Sequence, residues 1–301
     1  MSCWLGIMIS LALASSCSST RPIAAPARLT GDTHTHDPAL IQSGDSYYVF
    51  STGDEHGLNN GAIQVRRSRD LAYWQLVGTV FDAPPAWIGE TLGTMPPNLW
   101  APDVAFVNGT YYLYYAGSTF GSNHSVIGLA TNTTLDPADP AYAWVDRGMV
   151  LESRHSDNWN AIDPAYIRDE QGNAWLAFGS FWDGIKMRRL NAANGMLDEG
   201  DTRLYALASR GGGAIEAPSI VRHGDFYYLF VSFDLCCRGV NSTYRIMVGR
   251  SAAITGPYTD RNGVAMLEGG GTKLLAGDDR LRGPGGQSVM RDGSLTRLVH
   301  H

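Results

Sequence analysis

Runs of lysine and arginine are missing from this chain, and with them any excess of positive charge: the formal net charge is -6. A surface without a basic stripe offers no electrostatic footprint for nucleic acid or an anionic membrane. Cysteine is scarce as well. Of the four, Cys3 and Cys17 fall in the N-terminal leader and Cys236 and Cys237 are adjacent, so no disulfide framework braces the fold. Neighbouring Cα atoms stand about 3.8 Å apart, short of the roughly 4.4 Å that an ordinary bridge spans. Two packed thiols are therefore expected at 236 and 237, with a vicinal disulfide as the alternative. None of the eight histidines sits in a spaced zinc motif. No apolar run reaches the 20 or so residues of a membrane span, and no long segment repeats at 3.6 residues.

What is present is glycine, 35 residues of it, in a chain that is 44% hydrophobic and 17% charged. That balance describes a globular protein rich in turns and excludes a disordered one. The stretch Met1 to Ala14 is apolar and runs into the small, polar Ser15 to Thr20, so residues 1–20 read as a secretory signal peptide. Export is expected, with lipid anchoring at Cys17 as an alternative form of it. Residues 21–30 read as a linker, and 31–301 as the folded domain, expected to be a monomer.

One pattern recurs through 31–301: an acidic or small residue, a proline, a strand, a turn containing glycine, and an aromatic strand. The copies are anchored at Pro38, Pro102, Pro164, Pro218 and Pro284, roughly 60 residues apart, a period that suits four-stranded units with loops. Each copy carries a hairpin signal, such as Asn108-Gly109 between VAFV and TYYLYY. The expected fold is all-β, a five-bladed β-propeller. The fifth copy stops after two strands at His300-His301, so the last blade is expected to be incomplete, with a strand near residues 31 to 35 helping to close the ring.

In a propeller the inner strand of each blade begins near the axis, so repeat alignment becomes a proximity argument. Asp37 stands immediately before Pro38, Asp163 immediately before Pro164, and Glu216 two before Pro218; Asp103 follows Pro102. Any one Asp-Pro is most simply a turn residue bonding its own backbone. Three carboxylates at aligned positions point instead to acid/base chemistry, because crowding drives their pKa values apart. Glycoside hydrolysis requires one protonated and one ionised carboxyl group. Aromatic residues in loops fit a sugar substrate, above all Trp100 in NLWAPD and Trp182 in GSFWDG.

With HDPALI, LWAPDV, NAIDPA, GSFWDGI, GGGAIEAPSIV, GDFYYLFVSFDLCCRGVNSTYRIMVGRS and GPGG in view, the chain resembles the endo-α-1,5-L-arabinanases of glycoside hydrolase family 43. The block from Gly211 to Ser251 is the most specific part of the match. The resemblance implies endo-hydrolysis of arabinan with inversion at the anomeric carbon, an exo-acting arabinofuranosidase or xylosidase and a non-catalytic carbohydrate-binding propeller being the alternatives. It implies Asp37 as general base, Glu216 as general acid and Asp163 as the residue that raises and orients the acid. It also points to His36, Trp100, Ser118 and Phe120 around the sugar subsites. No cofactor is required for the chemistry. Relatives hold a metal, often calcium, on the axis through a histidine at the last position of the GPG-x motif; Gly286 stands there, leaving His300 or His301 as substitutes.

Overall fold

The computed structural model describes residues 28–54, 61–292 and 295–301; the leader and its Cys17 lie outside them. Nearly all regular structure is strand. The first sheet contains β1 (Thr30–Gly31), β2 (Ala39–Ser43), β3 (Ser46–Ser51), β4 (Gln64–Ser68) and β5 (Tyr73–Thr79), followed by a short helix α1 (Ala86–Leu92). The second contains β6 (Trp100–Val107), β7 (Thr110–Gly117), β8 (Ser125–Asn132) and β9 (Val145–Ser153). The third contains β10 (Ala165–Arg168), β11 (Ala174–Phe178), β12 (Ile185–Leu190) and β13 (Tyr205–Ala208). The fourth contains β14 (Ile215–His223), β15 (Phe226–Phe233), β16 (Arg245–Ser251) and β17 (Thr272–Ala276). A hairpin of β18 (Ser288–Asp292) and β19 (Leu295–Val299) follows.

Apart from β1, successive strands of each sheet pair antiparallel, the meander that short turns impose. At the β6–β7 turn Asn108 and Gly109 both have positive φ, 50° and 83°, which is what a two-residue hairpin of matching twist demands. Residues facing a neighbouring sheet are apolar. β8 is buried along its whole length, whereas the outer strand β9 alternates. The core consequently lies in slabs between sheets. Phe50, Ile63, Leu113 and Tyr115 fill the space between the first and second; Tyr114, Leu129, Leu176 and Phe178 that between the second and third; Trp175, Ile185, Leu229 and Val231 that between the third and fourth. The hairpin is thinner: Met290 and Val299 pack on Leu40, Val49 and Trp74 and are only partly buried.

The first strand of every unit faces the same centre. β2 touches β6, β6 touches β10, β10 touches β14, β14 touches β18, and β18 returns to β2. That is a propeller arrangement. Three side-chain bonds repeat between neighbours: Asp103 Oδ2 accepts the Tyr166 N–H (2.6 Å), Ser219 Oγ the Val289 N–H (3.2 Å) and Ser288 Oγ the Leu40 N–H (3.1 Å).

Two expectations change. Four sheets are full blades, one fewer than the five expected, because the described residues supply only two strands to the last repeat. The N-terminal strand does not close the ring: β1 adds in parallel to β5, at the outer edge of the first sheet. The fifth repeat also has a different anchor. Asp37, Ala101, Asp163 and Ala217, each just before its proline, have φ of 50°, 37°, 55° and 53°. Gly286, with φ 55°, precedes Gln287 and β18 in the same way. The equivalent position is thus Gln287, not Pro284.

Candidate active site

The starts of the five inner strands line one axial cavity, with Asp37, Asp103, Asp163, Ala217 and Gly286 on its wall. Alignment by backbone conformation separates the carboxylates into two kinds. Asp37 and Asp163 hold the left-handed position itself, whereas Glu216 stands one residue earlier, level with His36 and Trp100 in the first two blades. The ladder between β14 and β15 shifts register between Glu216 and Ser219, and Glu216 lies close enough to feel the charges of Asp163 and Asp37.

Asp37 is partly buried among polar groups. Its Oδ2 accepts hydrogen bonds from Thr52 Oγ1 (2.7 Å) and His36 Nδ1 (2.8 Å), and its backbone N–H donates to His301 Nδ1 (3.1 Å). Oδ1 is left facing the opening, 3.6 Å from His301 Nδ1. Burial pushes the Asp37 pKa up, but the His36 charge and hydrogen bond, then His301 and Thr52, outweigh it and hold the carboxyl well below the usual range. His36 is raised in return: burial lowers it, and the Asp37 charge raises it further. His301, stacked on His36 at 3.8 Å between ring centroids, is lowered to about 4, mainly by burial and despite Asp37. The His301 ring is therefore neutral near pH 7.

Glu216 has the opposite surroundings. Its Oε1 accepts a hydrogen bond from Tyr244 Oη, and Tyr244 is buried. Burial, then the charges of Asp163 and Asp37, drive Glu216 well above its ordinary value. Asp163 lies between the two. Its Oδ2 accepts the N–H of Ala217, the residue after Glu216, at 2.9 Å; burial and the Asp37 charge lift it to about 7. Asp103 is also lifted to about 7 by burial, but its role is the one serine plays in other blades, fixing the start of the next inner strand. The surroundings therefore bias the two in opposite directions, Asp37 towards the ionised form and Glu216 towards the protonated one.

The aromatic residues divide. Trp100 and Phe120 meet edge to face at 6.3 Å, and Phe120 is 79% exposed, so the pair forms one rim. The Trp100 indole N–H is taken by Asn98 Oδ1 (2.8 Å), which leaves its ring face for a ligand. Trp182 lies in a left-handed turn with Phe181, φ 32° and 41°, anchored by Phe181 N–H to Ile215 O (2.8 Å) and Asp183 N–H to Asn158 O (2.8 Å). Trp159 packs into the core against Phe178. Ser118 is not brought to the opening: it is fully buried. Its hydroxyl meets Ser125 Oγ (2.7 Å), Ser125 bonds to Asn160 Oδ1 (2.6 Å), and Asn160 Nδ2 to Ser180 Oγ (3.0 Å). This buried chain ties the Phe120 loop to the turn that carries Trp182.

Gly286 has no room for a side chain. A Cβ there would stand 2.4 Å from His301 Cε1 and 2.5 Å from Asp37 Oδ1, so the His301 ring fills the space a larger residue 286 would need. His300 turns away, its Nδ1 within 3.0 Å of its neighbour's carbonyl. His36, Asp37 and His301 form the cluster of potential ligands nearest the axis. Calcium takes six to eight oxygens, and this set provides two imidazoles and one carboxylate already bonded by Thr52 and His36. Among the described residues this set offers calcium one carboxylate, so the remaining oxygens would have to come from water or backbone.

Sequence reasoning did not single out Thr52 or Tyr244, whose signal is only their place in aromatic strands and turns. It also favoured thiols at 236 and 237. The structure joins Cys236 and Cys237 as a disulfide, with Cα atoms 3.8 Å apart; the left-handed Cys237, φ 63°, brings both sulfurs to one side of the loop.

Comparison with known proteins gives a consistent picture. Residues 30–301 match glycosyl hydrolases family 43. The extracellular endo-alpha-(1->5)-L-arabinanase 1 of Bacillus subtilis is 46% identical over 88% of this chain and 80% of its own. The extracellular exo-alpha-(1->5)-L-arabinofuranosidase of Cellvibrio japonicus is 41% identical over 88% of this chain and 78% of its own. The Cellvibrio cellulosa alpha-L-arabinanase, solved in complex with arabinohexaose, superposes with a TM-score of 0.83 at 41% identity, covering 89% of this chain and 86% of that one. The match over residues 30–301, the identity to curated relatives and the shared fold agree: the chain belongs to glycosyl hydrolases family 43.

Proposed function

We infer that this chain hydrolyses α-1,5-L-arabinofuranosidic linkages of arabinan with inversion, acting within the polymer. The observation that carries the reading is the opposite bias of two neighbouring carboxyl groups, Asp37 pushed towards the ionised form by His36, His301 and Thr52 and Glu216 towards the protonated form by burial and by Asp163 and Asp37. An inverting glycosidase needs that pair: a base to activate water and an acid to protonate the leaving oxygen. Asp37 Oδ1, the oxygen not taken by Thr52 or His36, receives the proton of the attacking water. Glu216, oriented by Tyr244, gives its proton to the departing sugar. Asp163 raises the acid through its charge and holds the backbone beside it. These two carboxyl groups account for every proton, so no cofactor is invoked.

The sugar chain lies between the Trp100–Phe120 rim and Trp182, with His36 on the base side. Rings offer flat apolar faces to sugar C–H groups, while Ser118 acts from beneath by holding the Phe120 loop. The β18–β19 hairpin is the inner half of a fifth blade, a reading supported by the closed ring of inner strands and the equivalence of Gly286 with Asp37. Residues 31–301 then form one catalytic domain behind a signal peptide (1–20) and linker (21–30), and the extracellular relatives support export.

Exo action is the second reading, favoured by the relative from Cellvibrio japonicus. Incubation with linear arabinan separates the two: endo cleavage releases a ladder of oligomers early, and release of a single small product sinks it. A proton spectrum of the first product reports the anomer, and retention contradicts the roles given to Asp37 and Glu216.

A further inference from the structure

Next to the base stands a group that the reaction as derived leaves idle, the Cys236–Cys237 disulfide. It lies in the connection from β15 to β16, which is fastened at both ends. Asp234 pairs with Arg210 Nη1 (2.9 Å) and Arg245 Nε (3.2 Å), and the Thr243 N–H returns to Leu235 O (2.9 Å). Arg238 N–H bonds to Ser242 Oγ (3.0 Å) across the tip. From this frame the Cys237 Sγ reaches to 3.6 Å from His36 Nε2.

His36 is thereby bounded on three sides: Asp37 Oδ2 at Nδ1, the His301 ring against its face, and sulfur at Nε2. Its side chain is 40% exposed, and at its outer edge the contact that bounds it is the Cys237 sulfur. A disulfide sulfur carries no proton and cannot swing as a free thiol does; it is a fixed, polarizable wall. We propose that the Cys236–Cys237 disulfide is a positioning element for the general base, acting through His36. The bridge holds sulfur against the outer edge of the imidazole, the ring keeps Nδ1 on Asp37 Oδ2, and Oδ1 stays turned to the opening. This rests on the reading of Asp37 as the base.

The test is a cycle on the full chain with linear arabinan as substrate, comparing wild type, Cys236→Ala/Cys237→Ala, His36→Ala and the triple variant. Loosening the base should lower kcat about tenfold with KM within about twofold, a rate effect of misplacement rather than lost binding. In the His36→Ala background the same cysteine changes should alter kcat less than about twofold, since groups acting through one another are not additive. An equal loss in both backgrounds overturns the proposal, as does an unchanged kcat in the cysteine variant. Should the cysteine variant fail to fold, a phosphine reductant applied to the wild type opens the bridge to two thiols, the phosphine becoming its oxide. Loss of kcat on reduction and recovery on reoxidation, at constant circular dichroism, supports the mechanism; reduction without effect on kcat overturns it. Asp37→Asn is measured alongside: full activity in that variant removes the base assignment itself, an outcome separate from the coupling between cysteines and His36.

Discussion

The two sides of the axial opening are built from different materials. Asp37 sits among polar partners, with two imidazoles and a threonine, on the side closed by the thin β18–β19 hairpin. Glu216 and Asp163 sit on full blades backed by an apolar slab that includes Ile215, Leu229 and Val231. Polar contacts lower one carboxyl and burial raises the other, so acid and base are assigned by their neighbours and not by residue type. The contrast also separates stability from chemistry: a hydrogen-bonded, ionised Asp37 supports the fold, whereas a buried Glu216 opposes it.

The largest expected effects remove one side of the contrast. Asp37→Asn and Glu216→Gln should each lower kcat about a thousandfold, within the range of general acid–base catalysis, while binding of an arabino-oligosaccharide by calorimetry stays nearly unchanged. Binding lost in step with rate would contradict both roles. Asp163→Asn should shift the pH profile: without that charge Glu216 is raised less, so the alkaline limb of kcat moves to lower pH. An alkaline limb left in place would detach Asp163 from the acid.

Thermal melts sharpen the comparison further. Glu216 has a folded value above its unfolded one, about 4.3, so the folded state binds more protons and stability falls as pH rises through that window. Asp37 has a folded value below its unfolded one, so its contribution is present above about 3.9 and is lost as pH falls towards the folded value. Near neutrality Glu216→Gln should therefore melt higher than wild type and Asp37→Asn lower. Melting shifts of the same sign would refute the division. Gly286→Ala should cost about 1–2 kcal/mol from its left-handed backbone, and more as Cβ displaces His301 from Asp37. Denaturant titration measures the first effect and kcat the second. The smallest change is Ser125→Ala, which breaks the buried tie between the two aromatic rims; KM should rise a few-fold with kcat held.

The sequence made the acid side more legible than the base side. Asp163 and Glu216 announce themselves by prolines and by the block around them, and the aligned aspartates mark the axis before any coordinates are known. The fifth repeat hides its register because Gln287 stands where the other four have proline, so Pro284 attracts the alignment. Tyr244 escapes because its contact with Glu216 spans 28 residues. Ser118 misleads for the opposite reason: it lies near the cleft in sequence pattern, yet Ser125 and Asn160 claim it below the surface. Local spacing identifies which strands meet. It does not tell which side chains a buried network consumes.

The bond from the Asp37 N–H to His301 joins residues 264 apart in the chain. Loop closure over such a span comes late, since many shorter contacts form before it. During refolding, tryptophan emission should recover with the inter-blade slabs while turnover lags behind, because the base acquires its second histidine only at the final ring closure. Competence to cleave is in that sense a report that the circle has shut, and a chain caught with its blades formed but its ends apart would still hold a poised acid with no settled base.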